Sequence, residues 1–310
     1  MKYIYKIYKT GNFSRAAKEL YLTQPTLTLA VQKVEKQLGM PIFERKTKPI
    51  SLTEAGKRYI DTAKKVLELE KDLTLQLDDL ASLQVGSLNL GGTHYVNSYI
   101  LPPILAKFHQ TYPKIEINVL ESTSYKLIDL LQDSTIDLTF NCVPALEKPF
   151  KRIPAFTDMV LLAVPRSFID NEKILPYALT AQDILEKKHL EQLCPSIDLK
   201  PFSHLPFIAL TKGNNLYERC RTFFIEADTE SQVIMTVTQL VTAYHLTLAG
   251  VGATFISDLM VKPTDTDIFY FKLPSVHALR HFNAIMLNHA YLSHAKKAFL
   301  HTVHQFYPLP

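Results

Sequence analysis

The sequence predicts a multi-domain α+β protein with an N-terminal winged helix-turn-helix, a long linker helix and a C-terminal α/β domain of two lobes. Three observations lead to this prediction. Two short amphipathic helix patterns lie near the N-terminus and are followed by a basic hairpin. The stretch 54–84 then carries apolar side chains at seven-residue spacing. Strand and helix patterns alternate through the remaining residues, as they do in α/β folds.

The first of the two short patterns predicts a supporting helix. Asn12 or Ser14 can cap its N-terminus, because both side chains can accept a hydrogen bond from a backbone N–H of the first turn. The small pair Ala16 and Ala17 allows another helix to approach closely, and Leu20 continues the apolar face at helical spacing.

A second helix is predicted from about Gln24, where Thr23 is a suitable N-cap and Pro25 falls in the first turn. Gly39 is well placed to end it. The spacing of the apolar residues predicts an inward stripe of Leu27, Val31, Val34 and Leu38. The residues predicted to face outward are Gln24, Pro25, Thr26, Thr28, Gln32 and Lys33.

This outward face consists of amides, hydroxyls and one cation, and it has no carboxylate before Glu35. Such a surface suits the major groove of DNA, where base edges present donors, acceptors and the thymine methyl group. An ordinary solvated helix face is the alternative.

A basic hairpin follows from Phe43 to Thr53, with Arg45, Lys46 and Lys48 near Pro49 at its turn. This is the pattern of a wing whose cations lie against phosphates. The charge distribution agrees. Residues 1–65 contain 14 Lys and Arg against 5 Asp and Glu, a net charge of +9, whereas residues 66–310 contain 20 against 25, a net charge of −5. Positive charge is therefore concentrated where the motif lies, as attraction to a polyanion requires.

These residues resemble the DNA-binding signature of LysR-type transcriptional regulators. The matching positions lie without a gap in residues 11–56: Gly11, Asn12, Phe13, Ser14, Ala16, Ala17, Leu20, Thr23, Gln24, Pro25, Leu27, Thr28, Val34, Glu35, Leu38, Gly39, Ile42, Phe43, Arg45, Leu52, Thr53, Ala55 and Gly56.

The resemblance implies a bacterial transcription factor that binds an interrupted dyad in promoter DNA and responds to a small-molecule effector, with no cofactor. It also implies that Gln24, Pro25 and Thr28 face bases, that Arg45 and the wing touch the backbone, and that RNA polymerase is a possible partner. Together with the helix pattern, it gives a candidate DNA-binding set of Ser14, Arg15, Gln24, Pro25, Thr26, Thr28, Gln32, Lys33, Arg45, Lys46 and Lys48.

The stretch from Glu54 to Gln84 predicts one long helix that pairs with its copy in a second chain. Its candidate dimerisation residues are Tyr59, Val66, Leu73, Leu77 and Leu80. A helix of ~30 residues would be ~45 Å long and cannot bury such a stripe by itself. A homodimer would present two recognition helices to successive half-sites, and a homotetramer is also open. Alternatively, the helix packs on its own domain.

From residue 87 the alternation of strands and helices predicts a parallel sheet covered by helices, divided into two lobes because of its size. The predicted boundaries are 1–56 for the winged helix-turn-helix, 57–86 for the linker helix and hinge, and 87–310 for the effector-binding domain. Lobe I comprises 87–162 and 267–310, and lobe II comprises 163–266. The strand at 160–164 is predicted to cross between lobes, and the strand at 268–273 to return. The family resemblance implies the fold of type 2 periplasmic solute-binding proteins.

Small polar residues follow three predicted strands, where the ligands of open α/β sheets bind. The candidates from these strand ends are Thr93, His94, Ser122, Thr123, Ser124 and Asn141. The resemblance assigns effector contacts to Thr93, Ser124 and Thr211. Hydroxyls with free helical N–H groups would suit a small carboxylate or similar anion. Helix capping explains Ser122, Thr123 and Ser124 equally well.

Composition favours no other class of function. Cys142, Cys194 and Cys220 have no metal-ligand spacing, and we expect reduced thiols, with a redox switch between Cys194 and Cys220 as the alternative. We expect neither a metal site nor enzymatic activity, because no Gly-x-Ser-x-Gly, Gly-x-Gly-x-x-Gly or paired carboxylate motif is present. The rival hypothesis is a solute-binding protein or enzyme of the same α/β fold. No signal peptide or membrane-spanning run is visible, so a cytoplasmic protein is expected.

Overall fold

The computed structural model describes residues 1–44, 50–80, 86–143, 149–213 and 215–308. They form two units, 1–83 and 84–310. Each unit has its own hydrophobic core.

In the first unit, the described residues form four helices and two short paired strands. In chain order these are α1 (Lys2–Thr10), α2 (Phe13–Glu19), α3 (Gln24–Leu38), β1 (Phe43–Glu44), β2 (Ser51–Leu52) and α4 (Glu54–Leu80). The antiparallel pairing of β1 with β2 is the base of the predicted wing. Arg45, Lys46 and Lys48 lie outside the described residues, so their assignment to the wing stays a prediction.

The helix ends follow the sequence signals. Asn12 caps α2 by accepting a hydrogen bond from the Arg15 N–H, and Thr23 caps α3 by accepting one from the Thr26 N–H. Gly39 ends α3 in the left-handed conformation, with φ of 69°. Gly56 lies in the first turn of α4, where an added Cβ would be 2.1 Å from the Ile42 carbonyl oxygen. A side chain there would push α4 away from the hairpin.

The inward stripe of α3 is only partly as predicted. Leu27 and Val31 are fully buried, whereas Val34 is half-buried and Leu38 is 48% exposed. Leu38 is the last residue of the helix, and α3 extends past the core of its unit at that end.

The second unit alternates strands and helices. Its main elements are β3 (Gly86–Gly92), α5 (Leu101–Thr111), β4 (Ile115–Glu121), α6 (Ser124–Gln132), β5 (Leu138–Asn141), β6 (Phe150–Pro165), α7 (Ala181–Leu185), β7 (Pro206–Leu210), α8 (Asn215–Glu226), β8 (Gln232–Val237), α9 (Leu240–Leu248), β9 (Thr254–Ser257), β10 (Ile268–Lys272), β11 (Leu279–Leu287) and α10 (His294–Phe306).

The prediction of a parallel sheet is wrong in part. The seven-stranded sheet has the order β10-β6-β11-β5-β3-β4, with β9 also paired to β6. Among the named strands of the described residues, the parallel pairs are β3–β4, β3–β5 and the separate pair β7–β8. Strand β6 pairs antiparallel with β9, β10 and β11, and β11 also pairs antiparallel with β5. Alternation of strand and helix patterns along the chain does not by itself fix the direction in which two strands pair.

Strand β6 is one long strand that belongs to both lobes. Residues up to Met159 pair with β11, and residues from Val160 pair with β9 and β10. The predicted crossing strand at 160–164 is thus the second half of a longer strand. The expected return at 268–273 is wrong, because β10 pairs with that second half, and the chain rejoins the lobe I strands only at β11.

Candidate DNA-contact surface and interlobe cavity

The outward face of α3 carries the side chains that the sequence predicts. Gln24, Pro25, Thr26, Gln32 and Lys33 are exposed. Thr28 is half-buried, and its hydroxyl donates to the Gln24 carbonyl oxygen at 2.9 Å, so only its lone pairs are available as acceptors.

Two side chains of the predicted set, both on α2, are held by neighbours. The Ser14 hydroxyl donates to Gln24 Oε1 at 2.8 Å, which fixes the amide and turns its N–H₂ group away from Ser14. The Arg15 guanidinium pairs with Glu19 at 3.2 Å, while Glu19 also pairs with Lys6 at 2.8 Å. Hydrogen bonds from Lys6 and Arg15 lower the pKa of Glu19. Arg15 remains mostly exposed and can still reach a phosphate.

Glu35 is the first carboxylate of α3, and its side chain is turned toward the hairpin rather than toward the outward face, where it would repel DNA phosphates. Its Oε1 accepts hydrogen bonds from the backbone N–H groups of Ile42 and Phe43, at 2.8 and 3.4 Å. This contact ties the end of α3 to the start of the hairpin. The outward face does contain one apolar residue that the sequence analysis missed, Leu29, which is 66% exposed.

The candidate dimerisation residues of the linker helix α4 fall into two groups, one packed on the N-terminal unit and one exposed. Ile60 is buried in the core of the N-terminal unit, and Tyr59 packs against the same core. Ala63 is also buried. Val66 is half-buried. Further along, Leu73, Leu77 and Leu80 are 56%, 56% and 81% exposed. The alternative of a helix packed on its own domain therefore holds for the first turns of α4 but leaves the later leucines uncovered.

In the second unit, a cavity of about 270 Å³ opens between the lobes. Six of the seven predicted effector residues line it: Thr93, His94, Ser122, Thr123, Ser124 and Thr211. Asn141 does not belong to that lining. It is 2% exposed, and its amide donates to the Ser124 carbonyl oxygen at 2.8 Å, so it holds the cavity wall from behind.

Helix capping accounts for part of the cavity wall. Thr123 is the N-cap of α6 and accepts a hydrogen bond from the Lys126 N–H at 3.4 Å. Across the cavity, Gln239 is the N-cap of α9, and its side chain makes no capping bond. Two helix N-termini thus face the cavity from opposite lobes, and both favour negative charge.

Further residues line the cavity. Tyr95 and Cys142 belong to the same strand ends as the candidates His94 and Asn141, whereas sequence reasoning missed Glu121, Lys212, Gln239 and Arg280. Arg280 is 4% exposed and forms a two-point ion pair with Asp158, its Nε lying 2.7 Å from Oδ1. Burial alone would lower the pKa of Arg280, but the Asp158 carboxylate raises it above its ordinary value, so the guanidinium stays charged. Burial and the same carboxylate raise the pKa of Tyr95, whose hydroxyl donates to Asp158 at 2.8 Å.

Glu121 bridges the two lobes at the cavity. Its Oε2 lies 3.0 Å from His94 Nδ1 in lobe I, and its Oε1 accepts from Gln239 Nε2 of lobe II at 3.4 Å. Deeper in the cavity, the Cys142 thiol donates to Asn215 Oδ1 at 3.3 Å, and burial raises the pKa of this thiol.

Both units of the chain match known protein families. Residues 1–57 match the bacterial regulatory helix-turn-helix proteins of the lysR family, and residues 81–307 match the LysR substrate binding domain. The chain belongs to the LysR family of bacterial transcriptional regulators. As a LysR-type regulator it binds DNA through its N-terminal unit and carries an effector-binding domain, as the resemblance of residues 11–56 predicted.

Individual relatives agree over nearly the full length. The chain is 25% identical over 302 residues to the uncharacterised HTH-type transcriptional regulator YcgK of Bacillus subtilis, covering 97% of this chain and 91% of YcgK. It is 26% identical over 264 residues to the dual regulator OxyR of Escherichia coli, covering 85% of this chain and 79% of OxyR.

Solved structures show the same fold. A full-length OxyR variant from Pseudomonas aeruginosa matches with a TM-score of 0.71 at 20% identity, covering 98% of this chain and 93% of that one. The regulator CbnR in complex with its target DNA matches with a TM-score of 0.59 at 20% identity, covering 98% and 97%. The LysR-type fold, with a helix-turn-helix and a periplasmic-binding-protein-like effector domain, is therefore confirmed. Within the described residues, no helix is both long and apolar enough to cross a bilayer.

Proposed function

We propose that this LysR-type regulator binds promoter DNA in the cytoplasm as a homodimer or homotetramer and is switched by a small anionic effector in the interlobe cavity. The observation that carries the proposal is the cavity itself, because its walls come from both lobes and bear the Glu121–Gln239 bridge. A ligand bound between two lobes can change how they are held relative to each other.

Three features favour an anion. Lys212 and Arg280 line the cavity, and the N-termini of α6 and α9 face it. The hydroxyls of Thr93, Ser124 and Thr211 supply neutral donors that fix orientation. Arg280 is already paired with Asp158, and Glu121 brings a carboxylate to the same cavity. The positive potential that favours an anion therefore comes mainly from Lys212 and the two helix N-termini.

For the DNA contacts we propose the outward residues of α3 with Ser14, Arg15 and the wing cations. Gln24 is the strongest candidate for base recognition, because Ser14 pre-orients its amide, and a fixed amide loses less conformational entropy on binding. For oligomerisation we propose the exposed leucines of α4, since a row of apolar side chains on one helix is normally covered by a partner.

The test is a thermal-shift screen of small mono- and dicarboxylic acids with the full-length protein, followed by variants of the cavity wall. Thr93→Leu and Ser124→Leu should abolish the shift and the transcriptional response to the active acid, while DNA affinity is retained. Thr111→Leu, an exposed threonine at the end of α5, is the matched control and should respond like the wild type. A normal response from both cavity variants would refute the site.

A further inference from the structure

Leu29 occupies the centre of the outward face of α3. At 3.6 residues per turn, Leu27 and Val31 each lie about 160° around the helix from Leu29. Both are buried to 1% exposure or less, whereas Leu29 is 66% exposed. Leu29 therefore points directly away from the core of its unit.

Its neighbours on that face belong to the candidate DNA-binding set. Pro25 and Lys33 are four residues away on either side, and Thr26 and Gln32 are three residues away, so all four flank Leu29 on the helix surface. Any macromolecule that contacts these four side chains also contacts the leucine between them.

The partner of this face is duplex DNA. Residues 1–65 have a net charge of +9, and Glu35 is turned back to the hairpin backbone. Within the major groove, base edges present hydrogen-bonding groups and a single kind of apolar group, the C5-methyl of thymine. A leucine side chain offers no donor or acceptor, so it can favour only that group.

We propose that Leu29 is a specificity-determining residue that packs against a thymine methyl group at one position of each operator half-site. The contact buries apolar surface of both partners. Polar neighbours such as Gln24 and Lys33 supply the hydrogen bonds and charge for the surrounding positions. This inference rests on the DNA-binding function and adds a defined base preference to it.

The experiment starts with full-length protein and a duplex selected by that protein from a randomised pool. Each thymine of the selected duplex is replaced in turn by deoxyuridine, which lacks the methyl group but keeps the O4 acceptor. For the wild type, one replacement per half-site should weaken binding about fourfold, the effect of losing one buried apolar carbon group. The other replacements should have smaller effects.

Leu29→Ala is then measured on the same duplexes. It should bind the thymine duplex more weakly than the wild type and lose its sensitivity to deoxyuridine at that one position. Alanine is the best helix former and Leu29 is exposed, so the unfolding temperature should not fall. Leu38→Ala is the control, since Leu38 is also an exposed leucine of α3 but lies on the opposite side of the helix, and it should keep the deoxyuridine sensitivity.

Two results would overturn the assignment in different ways. If the wild type selects a duplex but Leu29→Ala shows the same deoxyuridine profile, Leu29 does not read a methyl group while DNA binding stands. If no duplex is enriched by the wild type, DNA binding itself fails, and the assignment fails with it.

Discussion

Asp158 on β6 and Arg280 on β11 lie directly opposite each other. They are next to the end of the β6–β11 pairing, and from Val160 onward β6 pairs with β9 and β10 instead. Their side chains form a buried two-point ion pair, and Asp158 also accepts hydrogen bonds from Tyr95 and Ser257. Ser257 belongs to lobe II, so this cluster connects the two lobes beneath the cavity.

Removing one partner of this pair should destabilise the effector domain. Arg280→Met would leave a fully buried carboxylate without its counter-charge, and the free energy of unfolding should fall by about 3–5 kcal/mol. Urea denaturation of the full-length protein, followed by near-UV circular dichroism, measures this. The double variant Asp158→Leu with Arg280→Met should be more stable than Arg280→Met alone. Lys126→Met, which breaks the exposed Lys126–Asp129 pair, is the control and should change the free energy by less than about 1 kcal/mol. An equally small effect for Arg280→Met would contradict the account.

Tyr21 stores backbone strain at the end of α2. It is 97% exposed and has φ of 55°, and the N–H groups of Tyr21 and Leu22 bond back to Lys18 and Ala17. Gly39 ends α3 with the same hydrogen-bond pattern. Glycine is the usual residue at this left-handed position, so Tyr21→Gly should raise the free energy of unfolding of the N-terminal unit by about 1 kcal/mol. Gly39→Ala is the reciprocal variant and should lower it by a similar amount. A loss of stability in Tyr21→Gly would show that the tyrosine side chain makes a stabilising contact.

The exposed leucines of α4 should hold the oligomer together. Leu73→Asp with Leu77→Asp would place charges in an apolar interface, so sedimentation velocity should show a smaller species and DNA affinity should fall, because two linked half-site contacts become one. Thr74→Asp changes an exposed polar position on the same helix and should leave the sedimentation coefficient unchanged. An unaltered coefficient for the double variant would place the interface elsewhere.

The three cysteines should resist peroxide. Burial raises the pKa of Cys142, Cys194 and Cys220, and the thiolate is the reactive species, so little of it exists at neutral pH. Titration with a thiol reagent should find three reduced thiols before and after peroxide treatment, reacting slowly in the folded protein and rapidly in guanidinium. The paired loss of Cys194 and Cys220, with a faster band on a non-reducing gel, would instead support the redox alternative.

The local signals of the N-terminal unit were sufficient to predict α2, α3, the hairpin and α4, whereas α1 was not among the predicted helices. Helix α3 begins at the Thr23 cap with Pro25 in its first turn and ends at Gly39, and α2 begins at the Asn12 cap. These ends were predictable because capping depends on residues only a few positions apart. Leu29 was missed because it was not among the outward-facing residues predicted from the helix pattern. The exposure of Leu38 depends on where the core of the unit ends, which periodicity does not report.

The effector domain was harder to predict, because its site is built from distant residues. Arg280 lies within an ordinary alternating strand, and only its pairing with Asp158, 122 residues earlier, buries it and brings it to the cavity. The direction of β10 and β11 likewise follows from strand pairing rather than from local pattern. Thr93, Ser124 and Thr211 were brought to the same cavity as expected, because small polar residues at strand ends lie where the lobes meet.

The central claim is that the cationic N-terminal unit binds duplex DNA. Its most direct test is the affinity of the full-length protein for the duplex upstream of its own coding sequence, measured by fluorescence anisotropy over a range of salt concentrations. The logarithm of the affinity should fall linearly with the logarithm of salt, with a slope of about −0.9 for each phosphate contacted. Absence of binding at low ionic strength, with or without small acids, or an affinity that does not depend on salt, would contradict the account.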